Sequence, residues 1–169
     1  LHPSELAYIA RHAEDKIVIV DRSLLPLFEK LAPMVRSIER VIVVPDAASN
    51  VPVSAGYLDY EELLAAESDD YHFPVLDENA PAMVCYTSGT TGNPKGVVFS
   101  HRSTVLHAIV ASLPDSLGVR QADTVLPVVP MFHAAAWGLP YMAVGAGAKL
   151  VFPGPHLDPT SLLDLMAAE

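Results

Sequence analysis

Residues 83–99 read Met-Val-Cys-Tyr-Thr-Ser-Gly-Thr-Thr-Gly-Asn-Pro-Lys-Gly-Val-Val-Phe. Two short apolar runs, Met83 to Tyr86 and Val97 to Phe99, flank hydroxyls and glycines, which is the pattern of strand, loop and strand. Glycines let a backbone curl with its N–H groups inward, and they put no Cβ in the way of an anion. Thr87, Ser88, Thr90 and Thr91 add hydroxyl donors, and Lys95, held by the preceding Pro94, adds one full positive charge. Many neutral donors and one cation suit a polyphosphate. A lone Gly-Thr-Thr-Gly is better read as a hairpin turn, but the whole string from Tyr86 to Gly96 carries more than a turn needs. Nor is it a Walker A loop, in which Gly-Lys-Ser/Thr opens a helix. Here Lys95 is followed by Gly96 and then by a strand.

Working outward, short apolar runs alternate with helical spacing. Lys16 to Val20 and Val41 to Val44 read as buried strands, with a helix from Leu24 to Arg36 between them. Pro26 fits the first turn of that helix and Pro33 disturbs its end. Glu61 to Ala66 predicts a short helix. Ser100 is a candidate N-cap for a helix reaching about Leu113, with Val105, Ile109 and Leu113 on one face. Thr124 to Val129 and Lys149 to Phe152 read as further strands, and Thr160 to Ala168 as a terminal helix. Continuous apolar strands alternating with helices indicate an α/β fold with a largely parallel sheet flanked by helices.

The 169 residues, 51% of them apolar, suffice for a real core. A net charge of −10 argues against a nucleic-acid partner, which needs a basic footprint. Residues 41–78 carry nine acidic groups and no Lys or Arg, together with Pro45, Pro52, Gly56 and Pro74, and so read as an exposed connector. An acidic docking surface is the alternative. The single cysteine, Cys85, excludes a disulfide framework and reads as a buried, inert small hydrophobe. Thr124 to Ala148 holds no Asp, Glu, Lys or Arg over 25 residues, enough to span a bilayer by count. Pro127, Pro130, Pro140, Gly138, Gly145 and Gly147 would break such a helix, so strand, loop and buried helix fit better. Nothing at the N-terminus resembles a signal peptide, and a start at Leu1 suggests a piece of something longer.

The string Tyr86–Gly96 resembles the phosphate-binding signature of the adenylate-forming superfamily, which includes acyl-CoA synthetases, luciferases and peptide-synthetase adenylation domains. Pro130-Met-Phe-His-Ala-Ala-Ala-Trp-Gly-Leu-Pro140 resembles the next core motif as it stands in medium- and long-chain fatty-acyl-CoA ligases. Softer similarity runs from Glu5 to Asp21 and from Gly154 to Leu165. The resemblance implies part of an acyl-CoA synthetase-like N-terminal domain. Residues 1–78 would be a first α/β portion ending in the acidic connector, and 79–169 the phosphate-loop and acyl-pocket portion. It implies a fatty acid, ATP, Mg2+ and coenzyme A as substrates and cofactors, and a cytoplasmic location. A carboxylate would attack the α-phosphate to give an acyl-adenylate and pyrophosphate, and coenzyme A would then displace AMP. By motif position, Thr87 approaches the magnesium, and Ser88, Gly89, Thr90, Thr91, Gly92 and Lys95 cradle the β- and γ-phosphates. His133 and Ala134 line the substrate or adenine wall, and Trp137 matches an aromatic that closes the acyl tunnel in some long-chain relatives.

Taken without that resemblance, His133 is a core histidine and Trp137 a core filler. His101 and His107 stand six apart in a predicted helix, hence on different faces, which argues against a metal pair; helix-start, surface or packing positions are expected. The chain departs from the family in lacking the downstream Tyr-Gly-x-Thr-Glu motif, since none of its six tyrosines precedes a glycine. The ribose-binding aspartate, the hinge and the C-terminal domain with its lysine are absent as well. No complete catalytic set is therefore expected in this chain, and uncovered sheet edges predict self-association. Two alternatives stand: a ligase for an aryl or other carboxylate, and a non-catalytic phosphate-binding or assembly module. Peripheral membrane contact has no basic amphipathic helix to support it.

Overall fold

The computed structural model of the chain describes residues 2–87 and 92–169. It forms two compact units, one running up to residue 74 and including 92–95, the other holding 75–87 and 96–169.

The first unit opens with Pro3–His12 (α1), which the sequence reading did not foresee. Its cap is unusual: His2 Nδ1 accepts from the Ser4 N–H at 3.3 Å, while the His2 N–H donates to Glu5 Oε2 at 2.8 Å. Ile17–Asp21 (β1), Leu25–Leu31 (α2) and Arg40–Val44 (β2) make a strand–helix–strand crossover. The strands are parallel, with Ile17 opposite Arg40 and Asp21 opposite Val44. Pro26 sits in the first turn of α2, where a missing N–H costs nothing. The helix is shorter than its spacing suggests, because Pro33 cannot donate back along the ladder and the chain tightens into a 3-10 turn over Ala32–Met34. Leu25, Phe28 and Leu31 bury one stripe of α2 against Ala7 and Ala10 of α1 and Val41 and Val43 of β2. Full burial of a side chain such as Leu25 is worth roughly 1.5–3 kcal/mol. Only one face of β1 is covered. Val18 and Val20 pack on the core while Ile17 and Ile19 are exposed, so the expectation of a strand buried on both sides fails there.

Leu58–Asp59 (β3) pairs in parallel with β2, and Tyr60–Ala65 (α3) follows, with Asp59 Oδ1 accepting from the N–H groups of Glu61 and Glu62. The acidic stretch is therefore partly built into structure. Residues 66–79 are exposed and hold no helix or strand.

Pro81–Thr87 (β4) pairs with Lys95–Ser100 (β5), so the glycine-rich string joins two strands of one sheet. His101–Ala111 (α4) begins where expected: Ser100 Oγ accepts from the Ser103 N–H at 3.1 Å, and the hydroxyls of Ser103 and Thr104 donate to the Ser100 carbonyl. Ser100→Ala should cost about 1 kcal/mol, read as an earlier urea midpoint with unchanged slope. Thr124–Val125 (β6), Leu139–Ala146 (α5) and Lys149–Leu150 (β7) form a second parallel crossover, with Thr124 opposite Lys149 and Val125 opposite Leu150. Both strands are shorter than their apolar runs. Pro127 and Pro130 cannot donate to a ladder, and Pro153 closes the second run. Pro159–Ala168 (α6) starts from Asp158, whose carboxyl the Ser161 hydroxyl and N–H hold below its usual range.

The class is α/β with parallel pairing, as the alternation predicts. Among the described residues the strands divide into three small sheets. No helix of these residues is long and apolar enough to cross a membrane, so the 25-residue uncharged stretch resolves into strand, loop and helix.

Candidate functional site

The phosphate-loop residues fall at the junction of β4 and β5. Thr87 is the last residue of β4, Lys95 the first of β5, and Gly92 lies between them; all three are exposed. Ser88, Gly89, Thr90 and Thr91 lie outside the described residues. Gly96 has a packing reason to be glycine, since a Cβ there would stand 3.1 Å from Val84 Cγ1 and 3.2 Å from Tyr86 Cζ. Its bare backbone lets the side chains of β4 close over β5. No helix opens after Lys95; α4 begins only beyond the strand.

The second motif builds a tighter feature. His133 is exposed and makes no side-chain cap bond; its N–H donates to the Pro130 carbonyl at 2.9 Å, and its carbonyl accepts from Ala136 N–H at 2.9 Å. Ala134 opens the tight turn Ala134–Gly138. Within that turn three successive residues are left-handed: Ala136 at φ 51°, Trp137 at φ 57° and Gly138 at φ 77°. A left-handed L-residue costs roughly 1–2 kcal/mol, so Ala136 and Trp137 need surrounding contacts to hold them. One contact is the complete burial of Ala136. The other is His107 of α4, whose Nε2 lies 3.0 Å from the Trp137 carbonyl. A carbonyl only accepts, which assigns the proton to Nε2. The same ring fills the space beside Gly138, where a Cβ would stand 2.7 Å from His107 Cδ2.

Trp137 is 54% exposed, not the buried core filler its composition suggests without the motif. With His107, Met83, Phe99, Thr104 and Tyr141 it borders a mostly apolar cavity of about 300 Å³. At its wall the Tyr141 hydroxyl lies 3.7 Å from Met83 Sδ. A broader apolar groove of about 650 Å³ between α4 and α5 includes Val105, Ile109 and Val144, and none of the predicted site residues lines it. His107 is the residue the sequence reading missed. Expected at a surface or packing position, it is tied to a carbonyl thirty positions away, and helical spacing carries no signal of such a partner.

Among the described residues no three His, Cys, Asp or Glu side chains converge to hold a metal. Thr87 offers one neutral oxygen. That suits a magnesium ion carried mainly by nucleotide phosphates and water, and it could not hold a free cation alone.

The family profile described as "AMP-binding enzyme" matches residues 1–169. Among curated relatives, the medium-chain-fatty-acid–CoA ligase of Ectopseudomonas oleovorans is 46% identical over 98% of this chain and 30% of its own length. The long-chain-fatty-acid–CoA ligase of Thermus thermophilus is 48% identical over 100% of this chain and 30% of its own. The chain thus spans about 30% of the length of these relatives. A crystal structure of the anthranilate CoA ligase AuaEII with anthranoyl-AMP superposes with a TM-score of 0.81 at 23% identity, covering 99% of this chain and 32% of that one. At that identity the likeness speaks for the fold.

Proposed function

The chain belongs to the AMP-binding enzyme family, and on that premise we propose that it carries the phosphate loop and acyl-pocket wall of an AMP-forming fatty-acid–CoA ligase. The observation that carries the reading is the Tyr86–Gly96 string running from one paired strand into the other, with Thr87 closing β4 and Lys95 opening β5. A nearly 50% match to two ligases for medium- and long-chain acids supports a fatty acid as the carboxylate. So does an apolar cavity bordered by Met83, Phe99 and Trp137.

In this reading the fatty acid's carboxylate oxygen attacks the α-phosphorus of ATP. The bond to the bridging oxygen breaks and pyrophosphate leaves with the electron pair. The coenzyme A sulfur, its proton released to solvent, then adds to the acyl carbon, and the bond from that carbon to the phosphate oxygen breaks, leaving the thioester and AMP. The Lys95 ammonium and the donors of Ser88, Gly89, Thr90, Thr91 and Gly92 stabilise the charge that builds on the leaving pyrophosphate, contributing position and electrostatics and no acid–base step. The Thr87 hydroxyl would contribute one oxygen ligand to a magnesium ion bound with the nucleotide, and the ion would supply charge neutralisation at the phosphates. His133 and Ala134 form part of the substrate or adenine wall, and Trp137 stands at the entrance to the acyl path. A cytoplasmic setting, with ATP and coenzyme A at hand, belongs to the same proposal.

Fatty-acid-dependent ATP–pyrophosphate exchange tests it, run on this chain beside the whole protein. Exchange by the whole protein alone is the expected result, because the glutamate of the downstream motif and the ribose-binding aspartate are not in these residues. Exchange by the short chain would show that the phosphate loop and its neighbours suffice and overturn the half-built site. A whole protein without fatty-acid-dependent exchange would end the ligase reading.

A further inference from the structure

We infer that His107 is a positioning residue for the acyl group: it holds the left-handed turn at Ala136–Gly138 and so sets the pose of Trp137 over the apolar cavity. The inference rests on the ligase reading for the identity of the group received, and on geometry for the rest.

Three observations converge on this one ring. The turn puts Ala136 and Trp137 at φ 51° and 57°, a conformation L-residues do not hold unaided. His107 Nε2–H donates to the carbonyl of Trp137 itself, at 3.0 Å, so the bond acts on the residue whose side chain borders the cavity. The ring also occupies the place that the absent side chain of Gly138 leaves, blocking the turn from relaxing in that direction. The imidazole therefore restrains the turn at two consecutive residues.

The element that brings His107 there matters as much. It is carried on α4, which starts directly after β5 with Ser100 as its cap, and β5 is the strand that Lys95 opens. One turn before His107, Ser103 and Thr104 border the same cavity. A single helix that follows directly on β5 thus presents the ring that pins Trp137. Trp137 being half-exposed, its indole has room for more than one pose, and the position of its backbone decides which poses are available.

Substitutions separate positioning from packing. His107→Phe keeps an aromatic ring and removes the donor; His107→Gln keeps an amide N–H near the place of Nε2. Trp137 is the chain's one tryptophan, so its fluorescence reports the turn directly in this chain, without any need for activity. His107→Phe is expected to shift the Trp137 emission maximum and lower its anisotropy, with His107→Gln close to the wild type. In the whole protein, His107→Phe is expected to raise the fatty-acid KM about tenfold, the worth of one lost hydrogen bond, leaving kcat and the ATP KM within about twofold. His107→Gln should restore most of that loss. Unchanged emission and unchanged fatty-acid KM in His107→Phe would overturn the inference. So would equal losses in both variants across fatty acid, ATP and kcat alike, since that is the signature of a merely structural residue. A wild-type whole protein that shows no fatty-acid-dependent exchange would strike the ligase reading instead, and the fluorescence comparison would still decide whether His107 holds the turn.

Discussion

Lys95→Ala in the whole protein should lower fatty-acid-dependent ATP–pyrophosphate exchange by about a hundred- to a thousandfold, the range found when a preorganised donor to developing charge is removed. Every other donor in the string from Thr87 to Gly92 is neutral. Residues 79–169 hold only four cations, and two of them are committed elsewhere: Arg102 pairs with Glu78 at 2.7 Å, and Lys149 pairs with Glu169. Within the string itself, a lost ammonium leaves no other full positive charge. Charge on the pyrophosphate grows during the displacement, so kcat should fall more than the ATP KM rises. Lys95→Arg keeps the charge on a wider, planar head and should recover part of the rate only. Exchange within about twofold of the wild type would remove Lys95 from the mechanism and favour a non-catalytic loop.

Local chemistry was legible where it acts locally. Ser100 announced the start of α4 because a hydroxyl before an apolar helical run has one efficient use, and the cap is there. The strand–loop–strand reading of residues 83–99 held as well, because short apolar runs on either side of a glycine- and hydroxyl-rich string have the strand pattern, and the bare Gly96 lets Val84 and Tyr86 pack beside it. α1 was legible as well, since Leu6, Ala7, Ile9 and Ala10 fall at helical spacing behind Pro3 and Glu5 in the first turn, and the sequence reading passed over it. β6 was overdrawn because Val125, Leu126, Val128 and Val129 look like strand residues, whereas Pro127 and Pro130 decide the ladder. The left-handed turn is the deeper failure. Ala136 and Trp137 carry no mark of positive φ, and only Gly138 hints at it; what holds them there is His107, thirty residues upstream in the chain and adjacent in space. Motif resemblance found Trp137. It could not find the residue that places it, because the bond runs to a backbone carbonyl that any residue type would offer.

Three glycines close together in sequence give the second large effect, and comparing them isolates its cause. Gly145 lies inside α5 with nothing within 4 Å of the place a methyl would take, so Gly145→Ala should stabilise by roughly 0.5–1 kcal/mol through helix propensity. Gly147 ends α5 at φ 71°, with its nearest neighbour, Gln121 Cγ, at an ordinary 3.6 Å; Gly147→Ala should cost about 1 kcal/mol for the left-handed backbone alone. Gly138 has nearly the same φ, 77°, but a methyl there would stand 2.7 Å from His107 Cδ2. Gly138→Ala should therefore carry the backbone cost plus about 1–3 kcal/mol of overpacking. At roughly 2–4 °C per kcal/mol for a chain of this length, the melting temperature should drop by about 4–16 °C. Clearing the ring with His107→Ala in the same chain should return the overpacking part, leaving a cost near that of Gly147→Ala beside the cost of His107→Ala alone. The coupling energy from this four-variant cycle should exceed about 1 kcal/mol, as expected of groups in contact. Strict additivity would mean that the imidazole does not press on Gly138, and the turn would then have to be held by the burial of Ala136 alone.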